Sequence, residues 1–536
     1  MVLQLADKHT IPNGWTVIGL GEFRNKKSIS FNPQNETERK LELYSVPSHS
    51  THEPEILSNS DIGSNKQYVT TGDVLISKIN PRLNRTWVVG NFTAHDKIAS
   101  TEWVVFKKQN TISSAFLKYL LETVSVRDYL SHNASGVGGS LTRVKPILFD
   151  TIEIGLPPAA EQTRIVEKIE ELFSELDKGV ESLKTAQQQL KVYRQALLKQ
   201  AFEGKLTEQW RKDNPDKMES AEQLLACVKA ERGVRYQQQL DEWKQAVNAW
   251  EAAGKEVKKP TKPKQAKELP SLTADELAGV PALPEGWAWI KFGNLTDYVT
   301  SGSRGWKEYY SNSGATFIRA QNLKHDSLNL NDIAYVDLPE TVEGKRSKVN
   351  TDDILITITG ANVTKAGIVI EHLEEAYVSQ HVALCRLVNT SRANFIHQYL
   401  ISGTGGRKQL EKAAYGAGKP GLNLDNIYYL SVPVASEAES KIVIEYLQAQ
   451  LSLLEKLEAD LKINLKKSEA LRQSILKKAF SGQLVAQDPN DEPASELLKR
   501  IRTERETAEL AEKEAKAKAK KTAPKRKPKA TKPTAA

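Results

Sequence analysis

Cationic and amide side chains cluster in loops at two distant parts of the chain. Arginine can pair with both acceptors of guanine, asparagine or glutamine can pair with adenine, and lysine can neutralise a phosphate. This chemistry predicts double-stranded DNA as the ligand, against the alternative that these polar loops are only solvated. The candidate residues are Lys78, Asn80, Arg82 and Arg85 in the amino-terminal half, and Arg304, Arg319, Gln321, Asn322, Asn362 and Lys365 in the carboxy-terminal half.

Motifs for catalysis are missing from the sequence. Residues 416–421 spell Gly-x-Gly-x-x-Gly, a pattern found in dinucleotide-binding folds. Pro420 and the lack of a preceding strand favour a flexible or DNA-facing loop instead. The first copy has the glycine-rich stretch 136–139 at the corresponding place. Glu242 and Lys244 resemble part of a metal-dependent nuclease, yet they flank Trp243 in a helical pattern. No phosphate-binding loop, no Asn/Asp-Pro-Pro-aromatic methyltransferase motif, no His-x-x-x-His pair and no histidine cluster with metal-ligand spacing occurs. The sequence therefore predicts no catalytic residue, no metal site and no cofactor bound by this chain.

The bulk composition is typical of a globular protein, with 39% hydrophobic and 26% charged residues. No apolar run approaches the roughly 18 residues of a membrane span, and two distant cysteines give no disulfide framework, so we expect a cytoplasmic protein without a membrane partner. The net charge of +8 equals that of residues 511–536 alone, which hold ten Lys or Arg and two Glu. Because the rest of the chain is neutral, any DNA surface in it must arise from local patterning or be shared with a more basic partner.

The chain contains an internal duplication. Ile11-Pro-Asn-Gly-Trp returns as Leu283-Pro-Glu-Gly-Trp 272 positions later, Thr71-Gly-Asp-Val-Leu-Ile-Ser as Thr351-Asp-Asp-Ile-Leu-Ile-Thr 280 later, and Leu198-Lys-Gln-Ala-Phe-Glu-Gly as Leu476-Lys-Lys-Ala-Phe-Ser-Gly 278 later. Three matched blocks in one order indicate a duplicated unit with insertions and deletions in its loops. Such a pair can present two similar surfaces about a pseudo-twofold axis, which suits a ligand with two halves such as DNA.

Each copy combines a mixed domain with a long helix. Apolar runs at 74–76 and 354–356 predict buried strands, and 116–121 and 395–400 predict helices, which gives a duplicated α/β (α+β) class with domains at 1–158 and 283–433. Apolar steps of three and four over 159–206 and 434–485 predict two long helices that end at Gly204 and Gly482. We expect these helices to pair as an antiparallel coiled coil, the alternative being that each packs only on its own domain. The predicted seam consists of Ile165, Ile169, Leu172, Leu176, Leu183, Leu447, Leu454, Leu457 and Leu461.

Three further segments complete the predicted organisation. Residues 207–282 form a helical arm and a Lys/Pro-rich linker, and an apolar face on that arm is expected to be buried, either by self-packing or by a partner. That face consists of Tyr236, Leu240, Trp243, Val247 and Trp250. Residues 486–510 predict a helical segment, and 511–536 predict a disordered basic tail that is either solvated or in weak contact with DNA.

The duplicated blocks resemble the specificity (S) subunits of type I restriction-modification systems, the HsdS family. The resemblance rests on the Pro-x-Gly-Trp openings at 12–15 and 284–287, on the repeated blocks at 72–77 and 352–357, and on Leu156-Pro-Pro-Ala-Ala-Glu-Gln leading into the first long helix. The segment 487–498 also fits, and the resemblance covers about 11–506. The second copy departs at 432–439, where the Pro-Pro and Glu-Gln pairs are absent, and the basic tail is not well covered.

This resemblance implies a function and a set of partners. Each α/β domain would be a target recognition domain that reads one half of a split DNA site, and the two antiparallel helices would set the unread spacer. The helices would also dock two modification subunits, which carry S-adenosylmethionine and methylate adenine, and two restriction subunits would add ATP- and Mg-dependent translocation and cleavage. The chain itself would be a non-catalytic subunit of that methyltransferase and endonuclease. The alternative is a duplicated coiled-coil scaffold protein without DNA readout.

Overall fold

The computed structural model describes the chain except for residues 1–2, 6–10, 25–29, 137–141, 257–258, 340–343, 417–419, 501, 504–506 and 508–536. The predicted basic tail therefore lies outside the described residues. The chain folds into two compact units: unit 1 contains residues 1–184 and 462–536, and unit 2 contains residues 185–461. Each unit thus combines one mixed domain with part of each long helix.

Unit 1 is a mixed fold whose strands form three sheets, with strand orders β1-β11-β2, β10-β7-β8 and β3-β6-β9-β4-β5. The strands are β1 (Leu3–Gln4), β2 (Thr16–Gly19), β3 (Ser30–Phe31), β4 (Lys40–Tyr44), β5 (Glu55–Ser58), β6 (Lys66–Tyr68), β7 (Val74–Ser77), β8 (Thr86–Val88), β9 (Asp96–Ser100), β10 (Trp103–Phe106) and β11 (Ile152–Leu156). Helices α1 (Ser114–Leu121) and α2 (Val124–His132) precede β11, which leads directly into the long helix α3 (Ala159–Phe202).

Unit 2 repeats this plan after three further helices, α4 (Glu208–Asp213), α5 (Ala221–Ala252) and α6 (Ala274–Ala278). Its strands are β12 (Ala288–Lys291), β13 (Thr296–Ser301), β14 (Tyr310–Ser311), β15 (Ala315–Ile318), β16 (Ala334–Val336), β17 (Ile354–Thr357), β18 (Ala366–Ile368), β19 (Ala376–Val378), β20 (Val382–Leu387) and β21 (Ser431–Val434). They form sheets in the orders β12-β21, β13-β20-β17-β18 and β14-β16-β15-β19. Helices α7 (Ala393–Ile401), α8 (Gly406–Ala413) and α9 (Leu424–Tyr428) precede β21, and the long helix α10 (Glu437–Phe480) follows it.

The apolar runs of the duplicated block form the middle strand of a sheet in each unit. β7 pairs antiparallel with β8 and β10, and β17 pairs antiparallel with β18 and β20. All four residues of each strand are buried, which suits their β-branched and apolar side chains. The predictions of buried strands at 74–76 and 354–356, and of the helices that became α1 and α7, are therefore confirmed.

A buried aspartate precedes each middle strand and fixes the turn that leads into it. Asp73 pairs with Lys107 Nζ at 2.7 Å, and Asp353 pairs with Arg386 Nη2 at 2.6 Å. Each carboxylate also accepts the backbone N–H three residues before it. Burial raises the pKa of Asp353 even with Arg386 beside it. The turn is therefore tied to the neighbouring strand by a carboxylate with little access to water.

Both long helices begin and end in hydrophobic cores. In unit 1, Ile165 and Ile169 near the start of α3 pack in the same core as Leu476 and Ala479 near the end of α10. In unit 2, residues 197–202 at the end of α3 share a core with residues near the start of α10, among them Leu447. The early part of each helix therefore meets the late part of the other, which is an antiparallel arrangement.

The seam between the long helices is polar at its sides and apolar along its middle. Ion pairs join Arg472 to Asp177 in unit 1 and, at 3.6 Å, Arg194 to Glu458 in unit 2. Of the predicted seam residues, Leu457 departs from expectation because 41% of its surface is exposed. The less exposed face of the helix continues from Leu454 to the half-buried Glu458, a step of four rather than three, which turns Leu457 outward.

Glycines with positive φ end both helices, as predicted. Gly204 has φ 69° and Gly482 has φ 71°, the left-handed geometry that terminates a helix. A methyl group on Gly204 would approach Pro284 to 2.4 Å, and one on Gly482 would approach Pro12 to 2.2 Å. Each glycine therefore also lets the chain after the helix pack against the Pro-x-Gly-Trp opening of a domain, in unit 2 and unit 1 respectively.

The arm after the first long helix covers its own apolar face. Trp243 Nε1 donates to the carbonyl oxygen of Pro260 at 3.0 Å, and Lys262 Nζ lies 5.8 Å from the Trp243 ring. Lys259 Nζ lies 5.7 Å from the Trp250 ring. The Lys/Pro-rich segment therefore runs back along α5 over part of this face, whose residues are half-buried, and a partner on the rest of the face stays an open alternative.

Candidate nucleic-acid interface

The end of β7 is held between two other segments of unit 1. Lys78 N–H donates to the Glu102 carbonyl at 2.9 Å, and Val144 N–H donates to the Lys78 carbonyl at 2.9 Å. Arg143 exchanges two backbone hydrogen bonds with Ser135, at 2.8 and 3.0 Å. The loop after β7 is thus fixed against the start of β10 and against the stem of the glycine-rich stretch, whose residues 137–141 lie outside the described part.

Unit 2 contains the same arrangement built from different side chains. Ile358 N–H donates to the His381 carbonyl at 2.9 Å, and Leu422 N–H donates to the Ile358 carbonyl at 2.8 Å. Gly421 exchanges two backbone hydrogen bonds with Tyr415, at 2.8 and 3.0 Å. Residues 417–419, within the predicted flexible or DNA-facing loop, are likewise outside the described residues.

Left-handed residues frame the exposed part of each loop. They are Asn80 (φ 48°) and Asn84 (φ 43°) in unit 1, and Gly360 (φ 98°) and Thr364 (φ 73°) in unit 2. Asparagine and glycine adopt this conformation readily, whereas a β-branched threonine does so only under constraint. Thr364 is held by Arg407, whose Nη1 donates to its hydroxyl at 3.0 Å. The two loops therefore follow one backbone path.

Arg82 and Asn362 occupy the same place in these two loops, midway between the left-handed residues. Arg82 is exposed and Asn362 is half-buried. Lys78 and Arg85 are half-buried, and among the described residues neither they nor Arg82 form an ion pair. Three uncompensated cations at the end of one sheet make this edge of unit 1 electropositive, which suits a phosphate backbone. Residues 1–510, which are neutral as a whole, therefore include a local basic edge.

Two of the unit 2 candidates, Arg319 and Gln321, line a surface pocket of about 340 Å³. Its polar lining includes Arg319, Gln321, Gln380 and His381. Arg304, which is exposed, directly precedes the lining residue Gly305. The pocket meets the loop after β17, because the His381 ring is hydrogen-bonded to the hydroxyl of Thr359, which follows Ile358. Asn362 donates a long hydrogen bond of 3.4 Å to the carbonyl of Ala320, beside the same pocket.

Two of the predicted residues have their polar groups engaged within unit 2. Asn322 is 2% exposed and accepts from the Arg319 N–H at 2.9 Å, while its Nδ2 donates to the carbonyl of Asp332 at 3.0 Å. Lys365 Nζ lies 3.2 Å from Asp326 Oδ2. Asn322 therefore shapes the loop rather than offering free donors, and Lys365 brings its charge already paired.

Arg319 and Gln321 share one carboxylate. Arg319 Nη2 lies 3.2 Å from Asp332 Oδ1, and Gln321 Nε2 donates to Asp332 Oδ2. Asp332 is mostly exposed, so the pair sits at the surface, where such an interaction contributes little to stability and can be exchanged for a ligand.

Four residues at these edges escaped sequence reasoning: Glu102 and Arg143 in unit 1, and Gln380 and His381 in unit 2. Glu102 and His381 occupy equivalent positions, because each receives the same backbone hydrogen bond from the residue after the middle strand. They lie just before β10 and β20, two strands whose sequences show little similarity. The repeated block at 71–77 and 351–357 provided the only signal, since it identified the strand against which they pair.

The described residues provide no alternative centre of metal chemistry. None of their His, Cys, Asp or Glu side chains form a group of three or more that could hold a metal ion. No helix among them combines the length and apolarity needed to cross a bilayer. The interface is thus defined by donors, acceptors and charge rather than by reactive groups.

Comparison with known proteins gives a consistent result. Residues 12–188 match the family described as the type I restriction modification DNA specificity domain. The chain is 23% identical over 419 residues to the type I restriction enzyme EcoKI specificity subunit of Escherichia coli strain K12, covering 75% of this chain and 74% of that one. It is 28% identical over 231 residues to the StySPI specificity subunit of Salmonella potsdam, covering 41% of this chain and 44% of that one.

A solved structure supports the fold. The match is to a chain from work on complex assembly and conformational transition of the type I R-M system, with a TM-score of 0.62 and 16% identity. It covers 88% of this chain and 99% of the other. The arrangement of two mixed domains with two long antiparallel helices is therefore a fold already seen in that system.

Proposed function

We propose that this chain, which belongs to the family of type I restriction-modification specificity subunits, recognises a bipartite DNA site and thereby directs adenine methylation and ATP-dependent cleavage by partner subunits. Each unit would read one half of the site with the loop after its middle strand. The residues assigned to reading or holding DNA are the exposed or surface-paired ones: Lys78, Arg82, Arg85, Arg304, Arg319, Gln321 and Asn362.

One observation carries this proposal. The two units hold the end of the middle strand with the same backbone hydrogen bonds, yet present different side chains from it, such as Arg82 in one and Asn362 in the other. Arginine pairs with guanine and asparagine with adenine in the major groove. Two different half-sites can be read from the same backbone frame when the side chains that contact the bases differ.

The long helices suit the role of a spacer. A helix of 44 residues is about 66 Å long, whereas half-sites on one face of DNA lie roughly 34 Å apart. Because α3 and α10 each have 44 residues and run antiparallel, both would contribute equally to the unread interval. Changing their length would change the spacer without changing either half-site.

The chemistry would belong to the partners. We assign two modification subunits, which bind S-adenosylmethionine and take the target adenine out of the duplex into their own pocket. Two restriction subunits would supply ATP- and Mg-dependent translocation and cleavage. This chain would bind no cofactor, work in the cytoplasm, and determine where the partners act.

Methylation mapping of genomic DNA tests the proposal. The cognate modification subunit would be expressed with and without this chain, and methylated adenines would be located in both genomes. A split motif that appears only with this chain is the expected result. Exchanging residues 11–157 for those of a relative should then alter one half of the motif and leave the other intact.

The opposite result would favour the alternative of a coiled-coil scaffold protein, for which the neutral charge of residues 1–510 is the supporting observation. Absence of any motif, with the modification subunit shown to be competent beside a different specificity subunit, would refute DNA readout. An exchange of 11–157 that changes both halves would refute the division of labour between the units.

A further inference from the structure

A salt bridge lies at the centre of the unit 1 edge. Arg143 Nη2 donates to Glu102 Oε1 at 2.9 Å. The Arg143 side chain is 55% exposed, and that of Glu102 is 28% exposed. The other carboxylate oxygen of Glu102 is buried without a hydrogen-bond partner in the described structure. The carboxylate is thus oriented toward the guanidinium, while much of the guanidinium remains open to solvent.

The backbone that bears Arg143 is fixed on both sides. Arg143 and Ser135 exchange two hydrogen bonds, and the neighbouring Val144 N–H donates to the Lys78 carbonyl. On the other flank, Asn80 N–H donates to the Thr142 carbonyl at 2.8 Å. An exposed side chain on so constrained a backbone loses little further freedom on binding, which is a requirement of a specific contact.

The fold does not need this side chain. In unit 2 the equivalent position is Gly421, which makes the same pair of backbone hydrogen bonds with Tyr415. The equivalent of Glu102 is His381. An ion pair at such an exposed site also contributes little to stability. The Arg143–Glu102 pair therefore contributes little to the stability of the fold, whereas it presents an oriented guanidinium at the surface.

We propose that Arg143 reads a guanine in the half-site bound by unit 1, and that Glu102 is the residue that positions it; the proposal rests on the DNA-binding function given above. One Nη2 donor is used by Glu102, which leaves a second edge of the guanidinium for the O6 and N7 acceptors of guanine. Lys78 and Arg85 on the adjacent loop would hold the flanking phosphates, and Arg82 would read a neighbouring base. Unit 2 lacks the arginine, so its half-site would be read differently.

The test compares variants of the full chain, each expressed with the cognate modification subunit. Arg143→Ala, Arg143→Lys and Glu102→Gln are measured against Lys145→Ala, which removes an exposed cation two residues away. The readout is methylation of a set of DNA sites in which each base pair of both half-sites is substituted in turn.

For Arg143→Ala we expect discrimination at one G·C pair of one half-site to fall roughly tenfold or more, with the other half-site unchanged. Arg143→Lys should retain part of it, because lysine offers a point charge without the planar fork. Glu102→Gln should reduce discrimination less than Arg143→Ala. Lys145→Ala should lower methylation of all sites alike or not at all.

The outcomes separate this inference from the proposed function. If the wild-type complex methylates no split site, the proposed function fails. If it does, but the Arg143 variants keep every base preference, or the preference lost is not for a G·C pair, the assignment of Arg143 is refuted. Should Arg143→Ala fold poorly because Glu102 loses its partner, Arg143→Lys retains the charge and still decides between these results.

Discussion

Two equivalent glutamates should respond in opposite ways to the same substitution. Glu161 in the first turn of α3 and Glu439 in the first turn of α10 are related by the 278-residue offset of the third repeated block. Both are nearly inaccessible, with 1% and 2% of their surface exposed. Their partners differ, however, and we expect glutamine to stabilise unit 1 at position 161 and to destabilise unit 2 at position 439.

Glu439 belongs to a buried network. Its Oε1 accepts from Arg211 Nη1 at 2.5 Å and from the Thr207 hydroxyl at 2.6 Å. Removing one partner of a buried ion pair costs about 3–5 kcal/mol because the other charge is left uncompensated. Arg211 keeps two hydrogen bonds, to the Gly204 carbonyl and to the Thr207 hydroxyl, so we take the lower end, about 3 kcal/mol, for Glu439→Ala, and a smaller loss for Glu439→Gln.

Glu161 has no comparable ion pair, although Trp15, Arg164 and Gln487 lie close enough to favour its charged form in part. Its Oε1 is buried without a hydrogen-bond partner among the described residues, and burial raises its pKa. The folded state therefore binds the proton more tightly than the unfolded state, so stability falls as pH rises from the unfolded pKa toward the folded one. Glutamine does not titrate, and the gain from Glu161→Gln should appear across that interval and be complete above the folded pKa.

The measurement must resolve the two units, because a chain with two cores does not unfold in a single step. Hydrogen exchange of the full chain, followed in peptides from 161–173 and 437–447, reports each unit separately. For unit 2, a loss of about 3 kcal/mol corresponds to a fall of about 5 °C in its unfolding temperature. Equal protection losses at the two sites, or a Glu161→Gln variant that gains nothing with rising pH, would refute the reasoning.

Three further predictions follow from the helices and the core. Inserting four residues near Gln187 and near the equivalent Leu465 should lengthen each helix by about 6 Å and change the spacer in a methylation map while both half-site sequences persist; an altered half-site would contradict the spacer role. Burial lowers the pKa of His397 to about 4, so unit 2 should lose up to about 3 kcal/mol of stability as pH falls from about 6.5 to about 4. In hydrogen exchange measured against pH, His397→Gln should reduce this dependence of stability on pH. Gly482→Ala should destabilise unit 1 by more than about 1 kcal/mol, because the φ of Gly482 is positive and Pro12 is close. The control is Gly179→Ala within α3, which has open space around it and should raise the melting temperature by a small amount.

The parts of this fold that sequence reasoning predicted are those with a strong local period or a repeat. The middle strands, α1, α7, the long helices and their glycine ends all have one of these. Leu457 was misplaced because steps of three and four are both compatible with a helical stripe, and only packing decides between them. Most of the short strands, such as β14 (Tyr310–Ser311), have too few residues for a period to be detectable.

The candidate interface was predicted only where it adjoins the repeated block. Arg143 and Glu102 are 41 residues apart, and no spacing in the sequence joins them. His381 was passed over because a single histidine carries no motif. Asn322 was included because its residue type suits adenine, whereas its burial and its bonds within the loop are properties of the folded chain.

The division between frame and reader explains how one fold can serve many DNA sequences. The hydrogen bonds that the two loops share are between backbone groups, so they fix the position of a residue without fixing its side chain. The same backbone frame holds Arg143 in unit 1 and Gly421 in unit 2 at one position. It holds Glu102 in unit 1 and His381 in unit 2 at another. A residue at such a position can change at little cost in folding free energy, so selection for a new DNA sequence can act on it directly. Side chains that fix neighbouring turns, such as Asn322 and Asp353, are engaged within their own unit and lack that freedom. Specificity should accordingly change through the exposed side chains that read DNA, while Glu439, the two helix-ending glycines and the buried aspartates before the middle strands stay in place.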